Sequence, residues 1–402
     1  MTGTQTSCCA RCNAQTSKTC QGCADASGCV DGATKTFYCG VQCQKADWQA
    51  HKKTCRRLKA HKSLYQAGKV LRILWLAFRT HSNFINVEKV ENEGDNITFW
   101  GTQGFYADEL ILKPFAHHLF ADGKLKEAVL NYGACAHAYS INYVVRSLLS
   151  DICDDLVEVK FAIVNKRYRV TYFLRANASM PYQKCTSTNF SKSKHQSQTA
   201  DREPTIHHVF RVRLKATKEY FVIDLSNAQF GFFDTVIPWE KYLSERVAVF
   251  KTTDPLGTYD WFKWLGRSVE TVREFDLKTF TALRLEQLFE AWLSENHLTT
   301  AQLIAMSGAS FADRCAELEK HLFNGLIQTY KQAEQFCDLA WALRGETNRK
   351  AKWNETIELL KKIGLLDRAC SADNQRWLQS CGWVFVRHAP PPSTSSSLST
   401  VV

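Results

Sequence analysis

The chain has 402 residues, 45% hydrophobic and 23% charged, with a formal net charge of +11. That length predicts two or three domains, and the composition excludes global disorder, collagen and coiled coil. No apolar run reaches the roughly 18 residues a membrane span needs; the strongest, Val70 to Phe78, is interrupted by Arg72.

Met1 to Cys12 is polar and Cys-rich with no apolar stretch, so no signal peptide is expected. The expected compartment is cytoplasm or nucleus, where disulfides are rare. Nine of the 16 Cys lie in the first 55 residues: Cys8, Cys9, Cys12, Cys20, Cys23, Cys29, Cys39, Cys43 and Cys55. Such clustering in a reducing compartment reads as metal binding.

Four pairs stand out: Cys9-x2-Cys12, Cys20-x2-Cys23, Cys39-x3-Cys43 and His51-x3-Cys55. The first two have knuckle spacing, in which a tight turn points both sulfurs at one ion. The last two are four residues apart, on one face of a helical turn. Eight ligands make two tetrahedral zinc sites with no open position, so the metal is structural. Tyr38-Cys39-x3-Cys43-Gln44, Asp47-Trp48 and His51-Lys52-x2-Cys55 resemble the MYND zinc finger. The resemblance implies an interleaved cross-brace. Cys9, Cys12, Cys39 and Cys43 would hold one zinc, and Cys20, Cys23, His51 and Cys55 the other. The stretch from Cys23 to Cys39 is longer than the family usually shows, and Cys8 and Cys29 are spare thiols. The first ligand stays open between Cys8 and Cys9.

MYND fingers are protein-interaction modules that often take proline-rich peptides. The family's groove uses a Gln and a Trp, which map onto Gln44 and Trp48. These two are four apart and share a helical face. An indole packs on pyrrolidine rings, and an amide bonds the free carbonyls of an extended ligand. Charge adds little to a nucleic-acid reading. Residues 1–62 hold ten Lys/Arg against three Asp/Glu, a net of +7. Seven thiolates and two Zn²⁺ reduce this to about +4, which disfavours a nucleic-acid partner.

Further along, a helix is expected from Asp47 through Phe78, burying Leu64, Val70, Leu71, Leu74, Trp75 and Phe78. Phe84 to Val90 and Ile97 to Gly101 read as a hairpin around Asn92-Glu93-Gly94-Asp95. A helical stretch starts near Lys124. Leu156 to Val164 and Tyr168 to Leu174 read as a strand pair around Asn165-Lys166-Arg167. Ile206 to Leu214 and Tyr220 to Leu225 read as a second pair around Ala216. Asn177 to Thr205 is a polar surface insert. From Pro238 the chain reads helical, and Ala389 to Val402 as a disordered tail.

Gly133-Ala134-Cys135 precedes an apolar-periodic segment, which places Cys135 at a helix start where a thiolate is favoured. His208 and Asp224 would face each other across the second strand pair. Gly133-Ala134-Cys135, His208-Val209-Phe210 and Val222-Ile223-Asp224-Leu225 resemble the transglutaminase-like branch of the papain-like fold. That resemblance implies a thiol triad of Cys135, His208 and Asp224. Phe210 stands where that family usually has Trp.

The expected fold is α+β. A zinc-stabilised finger (1–58) precedes a mixed α/antiparallel-β domain (59–237, with insert 177–205), a helical region (238–388) and the tail (389–402). The first functional reading is an adaptor that recruits protein or proline-rich partners. The alternative is a thiol enzyme of acyl-transfer or amide-hydrolysis type. A SET methyltransferase, in which some such fingers are embedded, is set aside: Thr80-His81-Ser82-Asn83 is too short and lacks the Cys.

Overall fold

Residues 41–81 contain no proline and one glycine, and they form a single helix, α1 (Val41–His81). At about 1.5 Å per residue it is roughly 60 Å long. Its N-terminal part belongs to the cysteine-rich segment. Its C-terminal part is the spine of the rest: Leu64, Ala67, Val70, Leu71, Leu74, Trp75 and Phe78 are fully buried. Their spacing of three and four residues puts them on one broad face. The helix passes unbroken through residue 58, the expected edge of the finger. This computed structural model describes residues 7–20, 22, 35–83, 85–103, 115–134, 137–175, 179–185, 205–257, 272–344 and 349–365. Cys23, Cys29, Cys135, most of the polar insert and the tail lie outside them.

Two sheets flank the spine. The smaller contains β3 (Ile85–Glu93), β4 (Asn96–Gln103), β6 (Arg169–Arg175) and β7 (Gln183–Cys185), in the order β3-β4-β6-β7. β3 and β4 form the expected hairpin, turned by Gly94 at φ 66°, a conformation glycine adopts without strain. Short strands β1 (Ser7–Cys8) and β2 (Gln15–Thr16) belong to the finger. The larger sheet contains β5 (Cys153–Ile163), β8 (Thr205–Leu214), β9 (Tyr220–Ile223), β10 (Val236–Pro238) and β11 (Val247–Pro255). Its order is β10-β9-β8-β5-β11, antiparallel throughout.

The structure departs from three expectations. The stretch 177–205, read as a polar surface insert, contains β7, which pairs with β6. β5 and β6 are not a pair: β6 lies parallel to β4 in the other sheet, and Asn165, at φ 56°, redirects the chain between them. The Arg169 N–H then donates to the Asp95 carbonyl at 2.8 Å, starting β6 beside β4. Nor is the chain helical from Pro238 onward. After α4 (Trp239–Arg246), β11 joins the edge of the larger sheet. Val247, Val249, Phe250, Thr252 and Thr253 are β-branched or aromatic and favour a pleated surface.

The remaining helices are α2 (Gly123–Asn131), α3 (Asn142–Leu149), α5 (Val272–Glu295), α6 (Thr300–Ala305), α7 (Gly308–Ile327), α8 (Tyr330–Arg344) and α9 (Arg349–Lys362). A capping box of Thr299 and Gln302 starts α6. α1, α3, the inner face of the larger sheet and residues of α5 to α7 share one hydrophobic core. The middle and C-terminal regions are thus packed together by common apolar side chains.

At Gly68, α1 passes close to strand β10 of the larger sheet. A Cβ there would lie 2.3 Å from Val236 Cγ2. Valine is stiff about χ1 and cannot swing away cheaply. Ala raises helix propensity by about 1 kcal/mol, whereas overpacking costs about 1–3 kcal/mol. Gly68→Ala is expected to lower the urea midpoint; an unchanged or raised midpoint would show that the helix can move off the strand.

Candidate metal centre and its surroundings

The finger is built by backbone turns around sulfur. Its first knuckle closes with Cys9 N–H to the Ala14 carbonyl (2.8 Å) and Asn13 N–H to the Cys9 carbonyl (2.9 Å). Asn13 takes φ 61°, a left-handed position Asn tolerates. Cys20 N–H bonds the Thr36 carbonyl and Tyr38 N–H the Lys18 carbonyl, both at 2.9 Å, which brings the distant Cys39 segment alongside. Helix α1 then supplies Cys43, His51 and Cys55. Tyr38 is buried, and its hydroxyl donates to Asp47 Oδ2 at 2.6 Å.

Two clusters result: Cys9, Cys12, Cys39 and Cys43, and Cys20, His51 and Cys55. Within each, the ligand atoms lie within 4.8 Å of one another. The interleaving is the one the cross-brace implies. Cys23, the expected fourth ligand of the second set, lies outside the described residues. Of the two thiols left open as the first ligand, Cys9 is the one buried in the cluster, whereas Cys8 is exposed, its sulfur 3.6 Å from Gln15 Nε2.

The donor sets fit zinc. A tetrahedral Zn–S length near 2.3 Å places sulfurs about 3.8 Å apart. Cys12–Cys39, Cys39–Cys43 and Cys43–Cys12 are 3.5, 3.4 and 3.7 Å, and Cys20–Cys55 is 3.8 Å. Crowding of thiols without a cation resists ionisation. Hydrogen bonding to Cys39 is the leading cause that pushes the Cys43 thiol up to about 12. The Cys39 backbone N–H leads in lowering Cys9 to about 6. A divalent cation reverses that balance by holding the thiolates directly.

Gln44 and Trp48 sit one turn apart on α1. Gln44 Nε2 donates to Cys20 Sγ at 3.5 Å, an outer hydrogen bond to a sulfur of the candidate metal cluster that the sequence did not suggest. Trp48 is 44% exposed, whereas Phe37 and Tyr38 are buried. Its ring centroid lies 6.3 Å from that of His51.

The expected triad is not assembled. Cys135 lies outside the described residues, and His208 and Asp224 point to opposite faces of the larger sheet. The β8–β9 register pairs Phe210 with Ile223 and Arg213 with Tyr220. Continued by one residue, it sets Asp224 against Val209, not His208. A one-residue offset exchanges the faces of every side chain. Asp224 is bonded instead by His207 Nε2 (2.9 Å to each oxygen), the Tyr242 hydroxyl (2.9 Å) and the Ser226 N–H (3.2 Å). All four residues are buried, which makes this a hydrogen-bonded core network rather than an accessible site. His208 packs edge-on against Tyr139, with ring centroids 5.2 Å apart.

Burial, and then neighbouring His207, push His208 down from 6.5 to about 3. Burial likewise lowers His81 from 6.5 to about 4. Both shifts are downward, so below about pH 6.5 the unfolded chain binds protons that the folded chain refuses. Stability is whole above that pH and falls as pH drops toward 4, by up to about 1.4 kcal/mol per pH unit for each histidine. Urea midpoints measured between about pH 7.5 and pH 5 are expected to fall, and to fall less steeply in His208→Phe. Parallel profiles for the two proteins would overturn the assignment to His208.

The comparisons agree with the geometry at one end of the chain. Residues 9–55 match the family model of the MYND finger, so the cysteine clusters belong to a class of zinc-binding, protein-interaction modules. No curated protein and no solved structure matches the chain. Among the described residues, no helix is long and apolar enough to cross a membrane.

Proposed function

We propose that the protein is an adaptor whose finger holds two zinc ions and presents Trp48 and Gln44 to proline-rich peptides. The observation that supports this reading is Trp48. It is the large aromatic side chain of the finger that the described structure leaves exposed, on a helix fixed at both ends. One end carries the zinc ligands His51 and Cys55; the other is buried in the main core. An indole held on a rigid helix binds with little loss of conformational freedom. Gln44 adds its second amide hydrogen and its carbonyl oxygen. Cys23 completes the second zinc set. The reduced cysteines suit the cytoplasm or nucleus.

The test is a titration of the zinc-loaded full chain with labelled proline-rich peptides, read by fluorescence anisotropy. Saturable binding that disappears on chelation is expected. Zinc-loaded protein that binds none of these peptides would overturn the reading.

A further inference from the structure

Trp48 does not stand on an open surface. It lines one end of a cleft of about 470 Å³ between α1 and the ends of β5 and β8. Along α1 the wall continues through Lys52, Arg56 and Lys59, a stripe at helical spacing. The opposite wall is the main body, with Lys215 and Asp151. Four cations thus face one carboxylate. Among the described residues, none of the four is paired with an acidic side chain. Their neighbours are: Arg57 and His61 meet Glu219 at 2.9 and 2.6 Å, Arg213 meets Asp154 at 2.7 Å, and Arg211 meets Asp155 at 3.1 Å. The Glu219 pairs also tie α1 to the β8–β9 turn and so fix the cleft's width. Lys215 Nζ donates to the Ser150 carbonyl at the C-terminus of α3 (2.6 Å), which holds its charge at the cleft.

We propose that this cleft is a composite docking groove that takes an acidic peptide segment adjoining the partner's proline-rich core. The inference rests on the adaptor reading and adds to it a charge preference supplied by the main body. The core would pack on Trp48, and Asp or Glu residues beside it would run between Lys52, Arg56 and Lys59 on one side and Lys215 on the other. Exposed ion pairs are individually weak, but three or four acting together are expected to strengthen binding roughly tenfold at low salt.

The experiment uses the zinc-loaded full chain and three probes: a proline-rich peptide with an Asp/Glu flank, the same peptide with an Asn/Gln flank, and a single-stranded oligonucleotide of matching charge. The acidic flank is expected to bind about tenfold tighter, with the difference lost in high salt. Lys215→Glu lies outside the finger and should erase that difference while leaving zinc content and the Asn/Gln-flanked affinity unchanged. Lys215→Gln should reduce it partway. Equal affinity of the two peptides, or a preference that ignores residue 215, overturns the groove and leaves the adaptor reading standing. Binding of neither peptide overturns both. If the oligonucleotide matches the acidic peptide and shows the same dependence on Lys215, the surface is a polyanion site and the peptide assignment falls.

Discussion

Cys39→Ala is expected to unfold the finger and leave the rest of the molecule folded. The buried residues of the finger's own core are Cys9, Cys20, Tyr38, Cys55 and Leu58. Three of these five are proposed zinc ligands, so little apolar surface remains to support the segment once metal is lost. Structural zinc contributes apparent binding energies of about 10–16 kcal/mol, far more than so small a core supplies. Cys39 sits between Cys12 and Cys43, at 3.5 and 3.4 Å, so its loss opens the first site at its centre. The knuckle strands are bonded to the Cys39 segment through Phe37 and Tyr38, and the second site should loosen with it. The C-terminal half of α1 has separate support, because Leu64 to Phe78 lie in the main core. Elemental analysis should give two zinc ions per intact chain and fewer in the variant. Limited proteolysis should cut the variant before about residue 58 and spare the body. One zinc or none in the intact protein would overturn the two-site assignment. Global unfolding of the variant would show that the finger also holds the body together.

The two candidate ligand clusters were legible in the sequence because metal geometry fixes the spacing of ligands. Two sulfurs on one ion demand a knuckle turn or adjacent helical turns, and Cys9, Cys12, Cys39, Cys43, His51 and Cys55 obey that locally. The spine was legible for a similar reason: the run from Leu64 to Phe78 repeats at helical period. What failed was non-local. Nothing in Leu156 to Leu174 says that β5 and β6 belong to different sheets, because β5 is placed by β8 and β6 by β4, strands that lie 40 or more residues away in the chain. β11 was absorbed into a helical reading because α4 runs straight into it. The triad failed on a single residue of register. His207 and His208 are adjacent, and which of them meets Asp224 depends on whether the hairpin centres on Ala216 or half a residue beyond. Sequence places a turn to within a residue or two, and a sheet inverts its faces on less than that. The groove beside Trp48 was also hidden, because Lys215 reaches it from a strand end more than 150 residues along the chain.

Trp48→Ala is expected to weaken proline-rich peptide binding by about 2 kcal/mol, roughly thirtyfold, without releasing zinc. Trp48 is 44% exposed in the free chain, so its truncation removes contact area available to a ligand rather than a core side chain. Its neighbour His51 is a proposed zinc ligand, and the two rings meet edge to face at 6.3 Å; loss of so distant a contact leaves the ligand atoms in place. Gln44→Ala should behave differently. Its amide donates to Cys20 Sγ, and removal of such an outer-shell bond typically costs about 10–100-fold in metal affinity. A Trp48 variant with normal zinc and weak peptide binding, beside a Gln44 variant that loses zinc more readily to a chelator, would separate the docking role from the supporting one. If Trp48→Ala binds peptide as tightly as the parent, the indole is not the anchor. If it loses zinc first, the exposed ring is part of the finger's own packing, and the peptide face lies elsewhere on the module.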